Sequence, residues 1–292
     1  MKNKIDSDKK TIVKRLAIYL VFAYIPLIIA IPILNYVMGG RIYEGELLNS
    51  PVTSFVGLAG MLCPTMAHIL TRVITKEGFK DTYLRSHFKE SKRYYVLAIV
   101  LPVVYAIIGA LITRAIYGAA TDSGMSATSS VAYVVIQIES AVIMAFSGFG
   151  EEFGWRAYMM PKLEKLMGTP AAVLVGGIIW GLWHAPLTCS GHNFGTDYAG
   201  FPYLGIGLMC VFCICMNSIL TYVTKKSKSI YPAAILHTVN NSIVGLIFGL
   251  IVAPDVSSIK VFMYMLIPLG AIAVITLVMM MLSNKKEHAQ ES

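Results

Sequence analysis

The sequence predicts an all-α fold: a polytopic membrane bundle of about eight transmembrane helices, with residues 1–292 forming a single membrane domain. Hydrophobic residues make up 56% of the chain and charged residues only 14%, which is more apolar content than a soluble core of this length needs. A transmembrane helix takes about 20 apolar residues. Such runs lie at roughly 14–38, 52–75, 94–117, 129–166, 170–188, 201–224, 230–251 and 259–282. The fourth run is too long to be one simple span.

The connections between these runs are alternately rich and poor in lysine and arginine, and this alternation tests the number of spans independently. The basic groups are Lys2 to Arg15, Arg72 to Arg93, Lys162 and Lys165, Lys225 to Lys228, and Lys285 and Lys286. The positive-inside rule then places both termini in the cytoplasm, in a multi-pass protein of the cell membrane. Arg114 is the one charge against this pattern. Membrane topology and the lipid bilayer account for the net charge of +8, so no nucleic-acid partner is implied.

The segment GFGEEFGWR, from Gly148 to Arg156, places two adjacent carboxylates and an arginine inside the fourth apolar run. Charged side chains in hydrocarbon cost several kcal/mol unless they are paired or face a polar cavity, so they mark a candidate functional site. In a helix, Glu152 and Arg156 are four residues apart and share a face. Glu151 lies about 100° round the helix from Glu152. We therefore expect Glu152 to pair with Arg156 and Glu151 to be free for chemistry.

Four polar residues in three predicted helices lie at similar depths. Measured from the basic ends at about 1.5 Å per residue, they are about 22, 21, 14 and 20 Å deep. They are, in that order, Glu151, His184, His237 and Asn241. This predicts one polar pocket inside the membrane.

Such a pocket suits amide hydrolysis. A carboxylate near two imidazoles can deprotonate water, either directly or with a metal bound by the histidines. Asn241, one turn after His237, could donate a hydrogen bond to an oxyanion, and Asn240 competes for that role. Neither a G-x-S-x-G elbow nor an HExxH helix occurs in the sequence, which removes two better-known hydrolase classes. We interpret His68 as a packing residue.

Three motifs on separate predicted helices carry a resemblance to a known family. They are, in chain order, Glu151-Glu152-x-x-x-Arg156, Trp180-x-x-x-His184 and His237-x-x-x-Asn241. They resemble the EExxxR, FxxxH and HxxxN motifs of the CPBP family, which includes the type II CAAX prenyl endopeptidases, the Abi proteins and bacteriocin-processing enzymes. Trp180 stands where the second of these motifs has phenylalanine. The resemblance covers residues 140–248, which we take as the catalytic core.

The resemblance implies an eight-helix intramembrane endopeptidase, a hydrolase acting on a membrane-anchored peptide or protein. Glu151 would activate water, His184 and His237 would position water or substrate, and Asn241 would stabilise the oxyanion. Glu152, Arg156 and Trp180 would support the site. Family members are called metalloproteases, although a mechanism without metal is also argued for them. Whether Glu151, His184 and His237 bind a divalent metal such as zinc is therefore left open.

The substrate and two other classes of function also stay open. Maturation of a peptide pheromone or bacteriocin, or immunity to one, is a hypothesis that rests on the bacterial branch of the family. A catalytically silent membrane scaffold or regulator of the same fold is the main alternative. A transporter is disfavoured because the sequence shows no internal repeat.

Overall fold

The computed structural model describes residues 2–40, 51–118 and 145–291. In these ranges the chain is mostly helical, and no β-strand occurs within them. The helices are α1 (Lys2–Val37), α2 (Pro51–Ile74), α3 (Phe88–Tyr117), α4 (145–154, continued by a π-helix at Trp155–Met159), α5 (Met160–Met167), α6 (Thr169–Trp183), α7 (Ala185–Cys189), α8 (Tyr203–Ser227), α9 (Tyr231–Ile251) and α10 (Ser258–Glu291).

The prediction of an all-α, multi-pass membrane fold is confirmed. Within the described ranges, six helices are long and apolar enough to cross a membrane, and they coincide with the first three and the last three predicted runs. The fourth predicted run is described only from residue 145, so residues 129–144 lie outside the described part. Its described portion is helical up to Met167.

The fifth predicted run, 170–188, was expected to be one span but is broken. Helix α6 ends at Trp183, His184 caps it, and the short helix α7 follows. Pro186 explains the break because it lacks a backbone N–H and cannot continue the hydrogen-bond ladder of α6. The break leaves His184 at a helix end instead of inside a continuous helix.

The bundle is built from close helix pairs. Helix α3 packs against α9 and α10, α6 packs against α8, α1 packs against α2, and α8 packs against α10. The pair α6 and α8 approaches very closely at Gly177 and Gly181. A Cβ atom there would lie 2.4 Å from the Cα of Ile214 and 2.4 Å from the Cα of Cys210, respectively. Small residues one turn apart allow such contact between membrane helices.

Replacing Gly181 by alanine is therefore expected to destabilise the bundle. The new methyl group must push α6 away from the backbone of α8, and overpacking of this kind costs about 1–3 kcal/mol. Gly207→Ala, in α8, is the matched control, since nothing lies within 4 Å of a Cβ atom there. Thermal unfolding in detergent should show a lower melting temperature for Gly181→Ala only. Equal melting temperatures for the two variants would contradict the close contact.

A polar cluster joins several elements at the basic end of the bundle. Glu77, just beyond α2, lies 2.7 Å from Lys162 Nζ and 3.5 Å from Arg15 Nε, and it accepts a hydrogen bond of 3.1 Å from the Tyr158 hydroxyl. Burial alone would raise the pKa of Glu77. The hydrogen bond from Lys162 and the charges of Lys162, Arg72 and Arg15 outweigh burial, so the pKa lies below its ordinary value.

This lowered pKa gives a pH-dependent stability. The carboxylate of Glu77 stabilises the fold at pH values above its unfolded pKa, and that contribution is lost as the pH falls through the folded pKa. Glu77→Gln should therefore lower the free energy of unfolding by about 1–2 kcal/mol at pH 7, and by progressively less as the pH falls below the ordinary pKa of 4.5 and through the lower folded pKa. Melting temperatures of both proteins between pH 7 and about 2 measure this convergence. A constant difference across that range would exclude the charge as the cause.

Candidate active site

Helix α4, which carries both adjacent glutamates, is wedged between α2 and α9. A Cβ atom at Gly154 would lie 2.4 Å from the backbone of Pro64 in α2. One at Gly148 would lie 2.5 Å from Thr238 Oγ1 in α9. Glycine at these two positions therefore lets α4 touch both neighbours, and this fixes where Glu151 is placed between them.

Polar side chains of α2 hold the backbone of α4 from one side. The hydroxyl of Thr65 donates to the carbonyl of Gly150, and His68 Nδ1 lies 2.7 Å from the carbonyl oxygen of Phe153. Arg72 Nε donates to His68 Nε2 over 2.6 Å, so Nδ1 is the protonated nitrogen that donates to Phe153. His68, which we interpreted as packing, thus anchors α4 where the π-helix begins.

Glu152 joins two partners on different elements. Its Oε2 lies 3.1 Å from Arg156 Nε, and its Oε1 lies 2.7 Å from Nδ1 of His237 in α9. Glu152 is fully buried, and Arg156 is 2% exposed with its guanidinium 4.1 Å from the ring centre of Trp180. The predicted pair of Glu152 and Arg156 is therefore present. The contact with His237 was not predicted, and it leaves Nε2 as the His237 nitrogen that can act on a ligand.

Glu151 is held by two tryptophans. Its Oε2 accepts hydrogen bonds from Trp155 Nε1 at 3.2 Å and from Trp180 Nε1 at 2.8 Å. One oxygen of Glu151 is therefore hydrogen-bonded to both indole groups, and the expectation that this carboxylate is free for chemistry stays a prediction. Trp180 stands at the motif position of phenylalanine, which has no N–H to donate, so this contact depends on the tryptophan.

A single cavity of about 760 Å³ brings the predicted residues together. Its lining includes all four residues that were expected at similar depth, which are Glu151, His184, His237 and Asn241. Asn240 and Trp180 also line it. His184 Nδ1 lies 2.9 Å from the carbonyl oxygen of Trp180, which orients the ring from the end of α6. The structure thus places these side chains in the lining of one cavity. Their catalytic roles stay predictions.

The two neighbouring asparagines have different surroundings. The hydroxyl of Tyr105 donates to Oδ1 of Asn240, which is 8% exposed, and Nδ2 of Asn240 donates to Oδ1 of Asn241 over 2.8 Å. Asn241 is exposed to the cavity. Because its oxygen already accepts a bond, the NH₂ group is what Asn241 can offer to a ligand.

The three residues considered as metal ligands do not fit a metal centre in this arrangement. Across the described ranges, no group of three or more histidine, cysteine, aspartate or glutamate side chains is placed to hold a metal ion. Glu151, His184 and His237 share a cavity without forming such a group. We therefore derive the chemistry from the protein side chains and water.

Comparisons with known proteins agree with the three motifs. Residues 134–243 match the sequence model of the Rce1-like family, described as type II CAAX prenyl endopeptidase. Lysostaphin resistance protein A of Staphylococcus haemolyticus is 28% identical over 144 residues, which cover 49% of this chain and 35% of that protein. CAAX prenyl protease 2 of Methanococcus maripaludis is 32% identical over 93 residues, covering 31% of this chain and 34% of that protein.

The match therefore spans about a third of the length of each of these relatives. The residues that match the family model, 134–243, include α4, α6 and most of α9, and with them the four cavity-lining residues Glu151, His184, His237 and Asn241. Over residues 134–243, this chain is similar to the Rce1-like family, described as type II CAAX prenyl endopeptidases.

Proposed function

We propose that this protein is an intramembrane endopeptidase that hydrolyses a peptide bond in a membrane-anchored peptide or protein, with residues 140–248 as its catalytic core. Residues 140–144 of this core lie outside the described part. The observation that carries the proposal is the position of Glu151, which is 2% exposed and yet lines a cavity shared with two histidines and an amide. The family match supports the same activity.

The proposed reaction begins with a water molecule beside Glu151. The carboxylate takes a proton from this water as the oxygen attacks the carbonyl carbon of the substrate. The NH₂ group of Asn241 donates a hydrogen bond to the oxyanion that forms. Glu151 then returns the proton to the leaving nitrogen, the C–N bond breaks, and a carboxylic acid and an amine result. His184 and His237 position the water or the substrate through their Nε2 atoms.

The residues around Glu151 support its role as a base. The indole groups of Trp155 and Trp180 fix one oxygen, so the carboxylate keeps one orientation and its other oxygen can accept the proton of water. Glu152 fixes the ring of His237 through Nδ1. Holding reactive groups in a productive geometry is a major source of rate acceleration.

The family suggests substrate classes for this chain that remain proposals. One relative is named for CAAX prenyl protease activity and the other for lysostaphin resistance. An apolar anchor suits a cavity walled by side chains such as Trp183, Phe212 and Met265. Processing of a peptide pheromone or bacteriocin, or immunity to one, is a hypothesis that rests on the bacterial branch of the family.

Mass spectrometry of small membrane peptides tests the proposed activity. Cells that produce the intact protein are compared with cells that produce Glu151→Gln at the same level. We expect shortened peptides with new termini only with the intact protein. An identical set of peptides would overturn the protease proposal and favour a membrane scaffold of the same fold.

Trp180→Phe tests the contribution of the indole N–H separately from that of the aromatic ring. Phenylalanine keeps a ring beneath Arg156 but cannot donate to Glu151, and a hydrogen bond to a charged group is worth about 1.5–3 kcal/mol. We expect kcat/KM for a cleaved peptide to fall by about 10- to 100-fold. Trp183→Phe is the matched control, since Trp183 Nε1 donates to the carbonyl of Ala23. Equal losses in both variants would show that the N–H contact with Glu151 has no special role.

A further inference from the structure

The cavity is confined to one end of the bundle. Helix α2 lines it with residues 56–61, near the start of that helix, and α10 lines it with residues between Ser258 and Met265, also near its start. Helix α9 contributes residues from His237 towards its end. The connection between α7 and α8 adds His192 and Asn193. These segments are the ends of their helices that lie away from the basic connections.

The lysines and arginines of the basic connections lie at the opposite end. Lys76 and Lys80 follow the end of α2, Lys225 and Lys226 are in the last turn of α8, and Lys285 is near the end of α10. No lysine or arginine is among the described residues that line the cavity. The cavity therefore opens away from the basic face of the protein.

Two polar residues mark the mouth of the cavity. Asn193 and Ser258 both line the cavity and are both exposed. They lie in the connection before α8 and at the start of α10, which are at the same end of the bundle. The cavity therefore opens at the face opposite the basic connections.

We propose that the cavity opens to the non-cytoplasmic face of the membrane and takes apolar peptide segments from that side. Basic connections remain in the cytoplasm during membrane insertion, so the opposite face is the non-cytoplasmic one. Glu151 is the one carboxylate among the described lining residues, and no cation there would neutralise a carboxylate of the substrate. An uncharged apolar stretch is thus the complementary ligand. The peptide part of this proposal rests on the proposed function, whereas the orientation stands independently.

Labelling of cysteines in intact cells tests the orientation. Ser258→Cys at the mouth and Ser86→Cys in the basic connection after α2 are matched variants, since both serines are exposed. Each is made in a chain whose five cysteines are replaced by alanine. A membrane-impermeant maleimide should label Ser258→Cys in intact cells and Ser86→Cys only after permeabilisation. The reverse pattern would overturn the proposal.

The native chain offers the same readout without any substitution. Cys189 is the exposed cysteine among the five and ends α7, between the cavity residues Leu187 and His192. It should be labelled in intact cells that produce the unaltered protein. Labelling of Cys189 only after permeabilisation would contradict the proposed orientation, even if the cysteine-free chain did not fold.

Protection from labelling tests the ligand. An amidated peptide of leucine, phenylalanine and alanine is added outside cells that carry Glu151→Gln together with Ser258→Cys. At a concentration near its Kd it fills about half of the sites, so labelling should slow by about twofold. An amidated peptide of serine, asparagine and glycine of equal length should have no effect. Equal rates with both peptides would overturn the proposed ligand class.

These readouts separate the two proposals. Labelling does not depend on cleavage, so correct labelling with an unchanged peptide set in Glu151→Gln would refute the protease and leave the orientation intact. Loss of processing in Glu151→Gln together with labelling of Ser86→Cys from outside would refute the orientation and leave the protease intact.

Discussion

Glu151→Gln should lower the cleavage rate by about 10³-fold, within the 10²- to 10⁴-fold range typical of a lost general acid or base. Glutamine has nearly the same shape and can still accept the indole hydrogen bonds with its oxygen, but it cannot take a proton from water. The fold should be retained or stabilised, because the substitution removes a buried charge. The rate is measured with purified protein and a peptide found among the processed set, and stability is measured by thermal unfolding.

Glu164→Gln is the matched control for this substitution. Glu164 pairs with Lys225 at 2.8 Å and does not line the cavity. Its cleavage rate should equal that of the unaltered protein. If Glu151→Gln kept the rate of this control, Glu151 could not be the general base. A loss of folding in Glu151→Gln would instead assign the carboxylate a structural role.

Much of the fold could be predicted because a membrane imposes simple rules on sequence. Six described helices coincide with apolar runs. Each span must form its backbone hydrogen bonds within itself and be apolar over the thickness of the hydrocarbon core. The fifth run was predicted too long. Pro186 signals the end of α6, but apolar content alone does not distinguish a continuous helix from one that restarts after His184.

The site could be predicted only where contacts follow the periodicity of one helix. Glu152 and Arg156 are four residues apart, so their pairing follows from helical geometry. Glu152 and His237 are 85 positions apart, and Trp180 is 29 positions from Glu151. Such contacts depend on how neighbouring helices are rotated about their axes, which sequence spacing does not determine. The signal that could have been used is tryptophan at the phenylalanine position of the motif.

The π-helix further limited what the sequence could indicate. It begins at Trp155, directly after the two glutamates. A π-turn places an extra residue in one turn, so side chains after it lie on a different face from the one that regular helical spacing predicts. Such turns occur frequently at functional sites. His68 anchors the carbonyl of Phe153 just before this irregularity, and neither feature has a distinct sequence pattern.

The second large effect is expected for Glu152. This residue supplies the carboxylate beside Arg156, whose Nη1 and Nη2 find no hydrogen-bond acceptor among the described residues. Removing one partner of a buried ion pair leaves the other charge uncompensated and costs about 3–5 kcal/mol. Glu152→Leu should therefore unfold at a much lower temperature than the unaltered protein, in contrast to Glu151→Gln.

The double variant Glu152→Leu with Arg156→Leu should recover most of this stability. Both charges are then absent, and an apolar replacement of a buried pair is often neutral or stabilising. Cleavage should stay low in the recovered protein, because His237 Nδ1 has lost the carboxylate that orients its ring. Thermal unfolding and peptide cleavage of the two single variants and the double variant form a complete cycle. Additive losses of stability would show that Glu152 and Arg156 do not act as a pair. Recovered cleavage would show that the contact between Glu152 and His237 is dispensable.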